Sequence, residues 1–141
     1  MMTKVWGPAG WLFLHSVVYG YPIKIDQKNK NHIERKKDMK NFFKSIGGVF
    51  PCVYCRNSFK KFTKQIPIDN YLKSRKDLTL WLYKIHNKVN EKLNITDCKI
   101  PCIDTVDKKY EKFRAGCDSN KKGCVIPINN GKVPKCKITI K

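Results

Sequence analysis

Apolar residues recur with helical spacing through most of this chain and with strand spacing almost nowhere. Pro8 is suited to the first turn of a helix, after which Trp11, Leu14, His15 and Val18 fall on one face. The polar run KIDQKNKNH then predicts a connection. Met39, Phe42, Phe43 and Ile46 mark the inner face of a second helix, which Gly47 and Gly48 are placed to end. Pro51 opens a third helix with Cys55, Phe59, Phe62 and Ile66 in one stripe, and Pro67 stops it. Leu78, Leu82, Ile85, Val89 and Leu93 define a fourth, with Ser74 or Asp77 as its N-cap. A short fifth helix capped by Asp104 would carry Val106, Tyr110 and Phe113. The pattern predicts an all-α protein, a four-helix bundle with a short fifth helix. From about Cys117 the chain becomes rich in Gly, Pro, Asn and Lys, which predicts an extended Cys-containing tail. The expected division is a helical domain over 1–116 and a basic tail over 117–141.

Composition narrows the function less than it first promises. With 141 residues and 41% hydrophobic content, the chain can bury a core of its own as one domain. Thirty basic against 11 acidic residues give a formal charge of +19, which would attract nucleic acid, anionic membranes or acidic partners. Arginine, however, occurs only at 35, 56, 75 and 114. Phosphate and base recognition favour its planar fork, so the lysine excess reads mainly as coding bias, and nucleic acid is not expected as the primary partner. No apolar run approaches the ~20 residues that span a bilayer. The segment WLFLHSVVYGY carries a histidine and lacks a basic lead, so neither a membrane span nor a secretory signal is expected.

Seven cysteines change the picture more than the charge does. Cys52 and Cys55 form a Cys-x-x-Cys just after Pro51. At a helix N-terminus, unpaired amides and the helix dipole favour a thiolate at Cys52, and Lys60 and Lys61 would add positive potential. That arrangement suits thiol–disulfide exchange, one sulfur attacking or attacked and the other resolving. Half of a zinc site is the competing reading, with Cys98 and Cys102 as the other half, in a basic helical protein that binds nucleic acid. A thioredoxin-type reading is weaker, since that fold needs a βαβ setting. On the fourth helix His86 and Asn90 share a face with Leu82, Val89 and Leu93. Burying such polar groups is costly unless something polar and sizeable meets them, as a flat heteroaromatic cofactor with a phosphate tail would.

Three motifs in order, W-G-x-x-x-W-x-x-x-H from Trp6, P-C-x-x-C from Pro51 and H-N-x-V-N-x-x-L from His86, resemble the Erv/ALR family of FAD-dependent sulfhydryl oxidases. With the segment Val106 to Tyr110 the likeness covers roughly residues 5–117, and the compact size resembles the short forms of large DNA viruses. The resemblance implies a helical bundle cradling FAD, usually as a homodimer, with no metal. It implies flavin contacts from Gly7, Trp11 and His15 and from His86, Asn87, Val89, Asn90 and Leu93, with Trp81 and Tyr110 as adenine-side or lid contacts. It makes Cys52 the interchange thiol and Cys55 the thiolate against the flavin. Electrons would pass from thiols of client proteins, or of a thioredoxin-like intermediary, to FAD and then to molecular oxygen, giving hydrogen peroxide. The implied location is host cytoplasm or virion for a viral chain, and otherwise the mitochondrial intermembrane space.

Two departures stand out. Tyr83 occupies the place of a cysteine that many members bond to one at the position of Cys98, so Cys98 pairs with Cys102 or stays free, the pairing being favoured. Pro8 replaces a basic residue of the first motif, leaving Lys88 or Lys92 as candidate phosphate partners. Cys117 and Cys124 could close a loop, bridge two subunits or act as a shuttle pair, with the loop slightly favoured; Cys136 is the odd thiol.

Overall fold

A computed structural model describes residues 2–95 and 100–113. Its helices are α1 (Thr3–Tyr19), α2 (Lys30–Val49), α3 (Val53–Gln65), α4 (Arg75–Lys92) and α5 (Ile103–Lys112), with a 3-10 turn at Ile68–Tyr71 before α4. No strand is present among the described residues. Helix α4 is the hub: it packs on α1, on α3 and on the 3-10 turn, while α2 packs on α3 and α5 on α1. Leu78, Trp81, Leu82 and Ile85 of α4 are fully buried, and Leu14 and Val18, Met39 and Phe43, and Phe59 and Phe62 close around them from the other three long helices. The four-helix bundle with its short fifth helix is therefore present. The domain boundary at 116 and the tail lie outside the described residues.

Several boundaries differ from the sequence pattern, each for a tertiary reason. Helix α1 begins at Thr3, so Pro8 falls in its second turn, where it removes a backbone donor. The earlier start is held by contacts at that end: the Trp6 ring lies 5.6 Å from Phe50, and Thr3 reaches Cys55. The 24–32 run is no free connection. Ile25 N–H donates to Lys73 O at 2.9 Å, Arg75 Nε to Tyr21 O at 2.7 Å, and Tyr21 Oη to Leu72 O at 3.1 Å, which staples it to the start of α4. Helix α2 starts within it at Lys30, capped by the Asn29 side chain.

The Gly47-Gly48 pair does not end α2, which continues to Val49 and stops at Phe50, before Pro51. Gly47 is instead a packing position: a Cβ there would lie 2.5 Å from Phe59 Cδ1. Ser74 caps α4, its Oγ accepting from Asp77 N–H at 3.1 Å and donating to Asp77 Oδ2 at 2.7 Å. Asn94, at φ 54°, takes the left-handed turn that closes the other end. Cys102, not Asp104, is the N-cap of α5, and Phe113 closes that helix in solvent.

Candidate active site

Pro51 breaks the path between α2 and α3, and the next residue, Cys52, becomes the N-cap of α3. Its sulfur accepts the Cys55 N–H at 3.3 Å. The pair is electrostatically unequal. The Cys55 thiol and backbone N–H hold Cys52 below the ordinary thiol range. Burial pushes Cys55 up, and its neighbour Cys52 pushes the same way. In the dithiol the first negative charge therefore falls on Cys52, the better placed nucleophile. Thr3 Oγ1 lies 3.9 Å from Cys55 Sγ, and Lys92 favours the charged form of Cys55. Lys60, expected to add positive potential at Cys52, lines a different groove, whereas Lys92 lines the cysteine cavity and acts on Cys55.

The cysteines open onto a cavity of about 280 Å³. One face of α1 lines it with Thr3, Gly7, Gly10 and Leu14, a run at helical spacing whose small members leave room, together with Trp6 and Trp11. Phe50 and Phe59 form another wall, and Val89, Lys92 and Leu93 of α4 a third. A second cavity of about 140 Å³ lies among α1, α4 and α5, lined by His15, His86, Asn87, Asn90 and Tyr110. Trp11, which faces the first cavity, stacks on His86, which faces the second, with ring centroids 3.8 Å apart and planes 10° from parallel.

Behind that stack His15 Nε2 and His86 Nδ1 share a hydrogen bond of 3.2 Å. Burial drives both imidazoles down to about 4, with His86 and Lys109 adding to the effect on His15. Both rings are thus neutral near pH 7, so one bridging nitrogen donates and the other accepts. His15 also stacks on Tyr110 at 5.0 Å, and Tyr110 on Tyr19 at 5.1 Å. Tyr19 donates in turn to Asp107. A column of rings thus ties α5 to α1 and forms one side of the smaller cavity.

Gly7, Trp11, Val89 and Leu93 accordingly gather at the cysteine cavity, and His15, His86, Asn87, Asn90 and Tyr110 at the neighbouring one. Trp81 does not join them. It is fully buried, donates its indole N–H to Ile66 O at 2.8 Å at the end of α3, and packs edge-on against Phe43. Its expected place as a cofactor contact gives way to a core role, because its side chain points toward α2 and α3. Lys88 is engaged with Glu91 at 2.8 Å. Tyr83 Oη donates to Pro101 O at 3.1 Å, so a hydrogen bond ties α4 to the approach of α5. Cys102 is an exposed thiol beside Thr105. Cys98, Cys117, Cys124 and Cys136 lie outside the described residues, as do the pairings expected of them. Among the described residues no three His, Cys, Asp or Glu side chains are grouped to hold a metal. Thr3, Trp6 and Phe50 also line the cavity without having been expected there; the 3, 7, 10, 14 spacing on α1 carried the signal for Thr3 alone.

The residues present fit FAD. Trp6 Nε1 and His15 Nδ1 are buried without a hydrogen-bond partner, an expense of about 1–3 kcal/mol each that a polar ligand atom would remove. The cysteine cavity has mostly apolar walls, as a flat ring requires, with Lys92 as a cation at its edge.

The Erv1 / Alr family profile matches residues 8–111. A probable FAD-linked sulfhydryl oxidase of Acanthamoeba polyphaga mimivirus is 36% identical over 91 residues, covering 64% of this chain and 59% of that protein. The mitochondrial FAD-linked sulfhydryl oxidase Erv1 of Saccharomyces cerevisiae is 32% identical over 87 residues, covering 62% of this chain and 42% of that protein. The chain thus spans only about half the length of these relatives. The crystal structure of the yeast Erv1 core superposes with a TM-score of 0.67 at 26% identity, covering 79% of this chain and 85% of that one.

Proposed function

The chain belongs to the Erv1 / Alr family, and on that premise we propose that it is an FAD-linked sulfhydryl oxidase that makes disulfide bonds in other proteins. The observation that carries the reading is the Cys52–Cys55 pair at the start of α3, opening onto a cavity beside two neutral histidines, His15 buried and His86 half-buried. A client thiolate attacks Cys52 Sγ of the Cys52–Cys55 disulfide, and Cys55 leaves as a thiolate. Lys92 and the Thr3 hydroxyl are placed to stabilise that charge. A second client thiolate then attacks the client sulfur of the mixed disulfide, releasing Cys52 and leaving the client oxidised. Bound FAD would supply the two-electron acceptor that restores the disulfide and passes the pair to oxygen, so that two thiols and O₂ give one disulfide and H₂O₂.

Gly7, Trp11, Val89 and Leu93 would hold the cofactor beside Cys55, and His15, His86, Asn87, Asn90 and Tyr110 its remaining portion. The orphan indole N–H of Trp6 would add a donor. Homodimerisation is part of the same proposal, and the exposed Leu12 and Phe13 on α1 and Val49 on α2 favour it. The catalytic unit would lie within residues 1–116. No described helix is long and apolar enough to cross a membrane. We assign the activity to host cytoplasm or virion for a viral chain, and otherwise to the intermembrane space.

A visible spectrum of the purified chain, followed by peroxide yield per thiol pair, tests the proposal. A flavin spectrum and one peroxide per two thiols are expected. A colourless, folded protein that holds zinc would overturn it in favour of the zinc reading.

A further inference from the structure

Away from both cavities, a groove of about 550 Å³ runs between α2, α3 and the 3-10 turn. Lys40 and Lys44 stand one turn apart on α2, and Lys60 and Lys64 one turn apart on α3, so two lysine pairs face each other across it. Lys40 is held by Asp69. Lys44, Lys60 and Lys64 have no carboxylate within salt-bridge distance among the described residues. The floor is apolar: Phe43, Phe59, Pro67 and Ile68, with Gly47 against Phe59 and the fully buried Trp81 beneath.

We propose that this groove docks an acidic segment of a partner protein, with carboxylates on the lysine rims and one apolar side chain on the floor. The charge alone would not carry this, since lysines cover the molecule. What separates the groove from the rest of the surface is that uncompensated cations from two helices converge over buried aromatics. Three cations on the rims of one groove repel one another, and an anionic occupant relieves that repulsion. A single nucleic-acid strand would need open ring faces on which to stack. Here the rings are closed off, Phe43, Phe59 and Trp81 all being buried in the packing of the helices. The apolar floor that remains suits an inserted aliphatic or aromatic side chain. Phe59 lines this groove and the cysteine cavity alike, so a segment docked here is held one side chain away from the reactive pair. That the partner is an oxidised client rests on the sulfhydryl-oxidase proposal; the binding itself does not.

Fluorescence anisotropy of the full chain tests it directly, using a short labelled peptide with one phenylalanine flanked by glutamates. Binding is expected to weaken roughly tenfold when the phenylalanine becomes serine. It is expected to weaken at least about tenfold in the triple variant Lys44→Glu, Lys60→Glu, Lys64→Glu, and little in Lys37→Glu, an exposed α2 position outside the groove. The triple variant should still oxidise a small dithiol at the unaltered rate. If the peptide fails to bind, binds equally well without its phenylalanine, or loses no more affinity in the triple variant than in Lys37→Glu, the proposal is overturned. It is also overturned if single-stranded DNA competes more tightly than the peptide and shows the same lysine dependence. Because neither flavin nor turnover enters the binding measurement, failure of the oxidase reading would show separately.

Discussion

Replacing Gly47 by alanine would put a methyl group 2.5 Å from Cδ1 and 3.0 Å from Cε1 of Phe59. Both distances are shorter than a carbon contact allows, so the ring or the helix must shift. Phe59 has little room to yield, being buried, with Phe50 edge-on against it at 5.2 Å. Overpacking of this kind costs about 1–3 kcal/mol. Against it stands the helix preference of alanine over glycine, up to about 1 kcal/mol. Gly48 supplies the control, because a Cβ there meets nothing within 4 Å and gains only the propensity. The Gly48→Ala protein should therefore be more stable than Gly47→Ala by about 1–3 kcal/mol. At this chain length each kcal/mol moves the midpoint by roughly 3–5 °C. Thermal melts followed by circular dichroism, with wild type in the same buffer, would resolve such a gap. A Gly47→Ala protein that melts at or above the Gly48→Ala temperature would refute the close-packing account of that glycine.

Acid should weaken the fold through the histidine pair. Both imidazoles fall from 6.5 to about 4 on burial, so folding favours the neutral form, and its contribution is complete above pH 6.5 and lost as pH drops toward 4. At about 1.4 kcal/mol per tenfold change in proton affinity, roughly 3 kcal/mol is at stake for the first protonation. Urea midpoints at pH 7 and 4.5 should separate in wild type and draw together in His86→Phe; identical separations would sink the idea. Cys55→Ser should keep its flavin spectrum and lose thiol oxidation by at least about a hundredfold, and full activity would refute the proposed chemistry. Trp81→Phe strands the Ile66 carbonyl and should lower stability by about 1–3 kcal/mol with flavin content per chain unaltered. Flavin loss at unaltered stability would return Trp81 to the site. Tyr83→Phe removes the link to Pro101 and should speed amide exchange at the start of α5, with a global cost of about 1 kcal/mol; protection identical to wild type would mean that the bond carries nothing.

What could be read along the chain was what repeats along it. Helical periodicity placed Leu14 and Val18, Phe59 and Phe62, and Leu78, Leu82 and Ile85 in the core, where they are found. Motif order carried the resemblance to the family, while helix geometry alone sets Trp11 with His15, and His86 with Asn90, on one face. Cys52 was placed at a helix start by Pro51, and the structure makes it the N-cap of α3. Ends and partners were another matter. Helix α1 starts before Pro8 because Trp6 meets Phe50 at the end of α2 and Thr3 meets Cys55 in the first turn of α3, both far away in sequence. Nothing local distinguishes a glycine that stops a helix from one that admits a phenylalanine, and only the approach of α3 to α2 decides that for Gly47. The resemblance made Trp81 a cofactor contact, yet five residues along a helix turn it away from His86, toward Ile66. Lys92, distant in sequence, acts on Cys55 because α4 packs on α3. Periodicity is a property of one element, and so a sequence carries it whole. Proximity between elements is set only when their faces pack together.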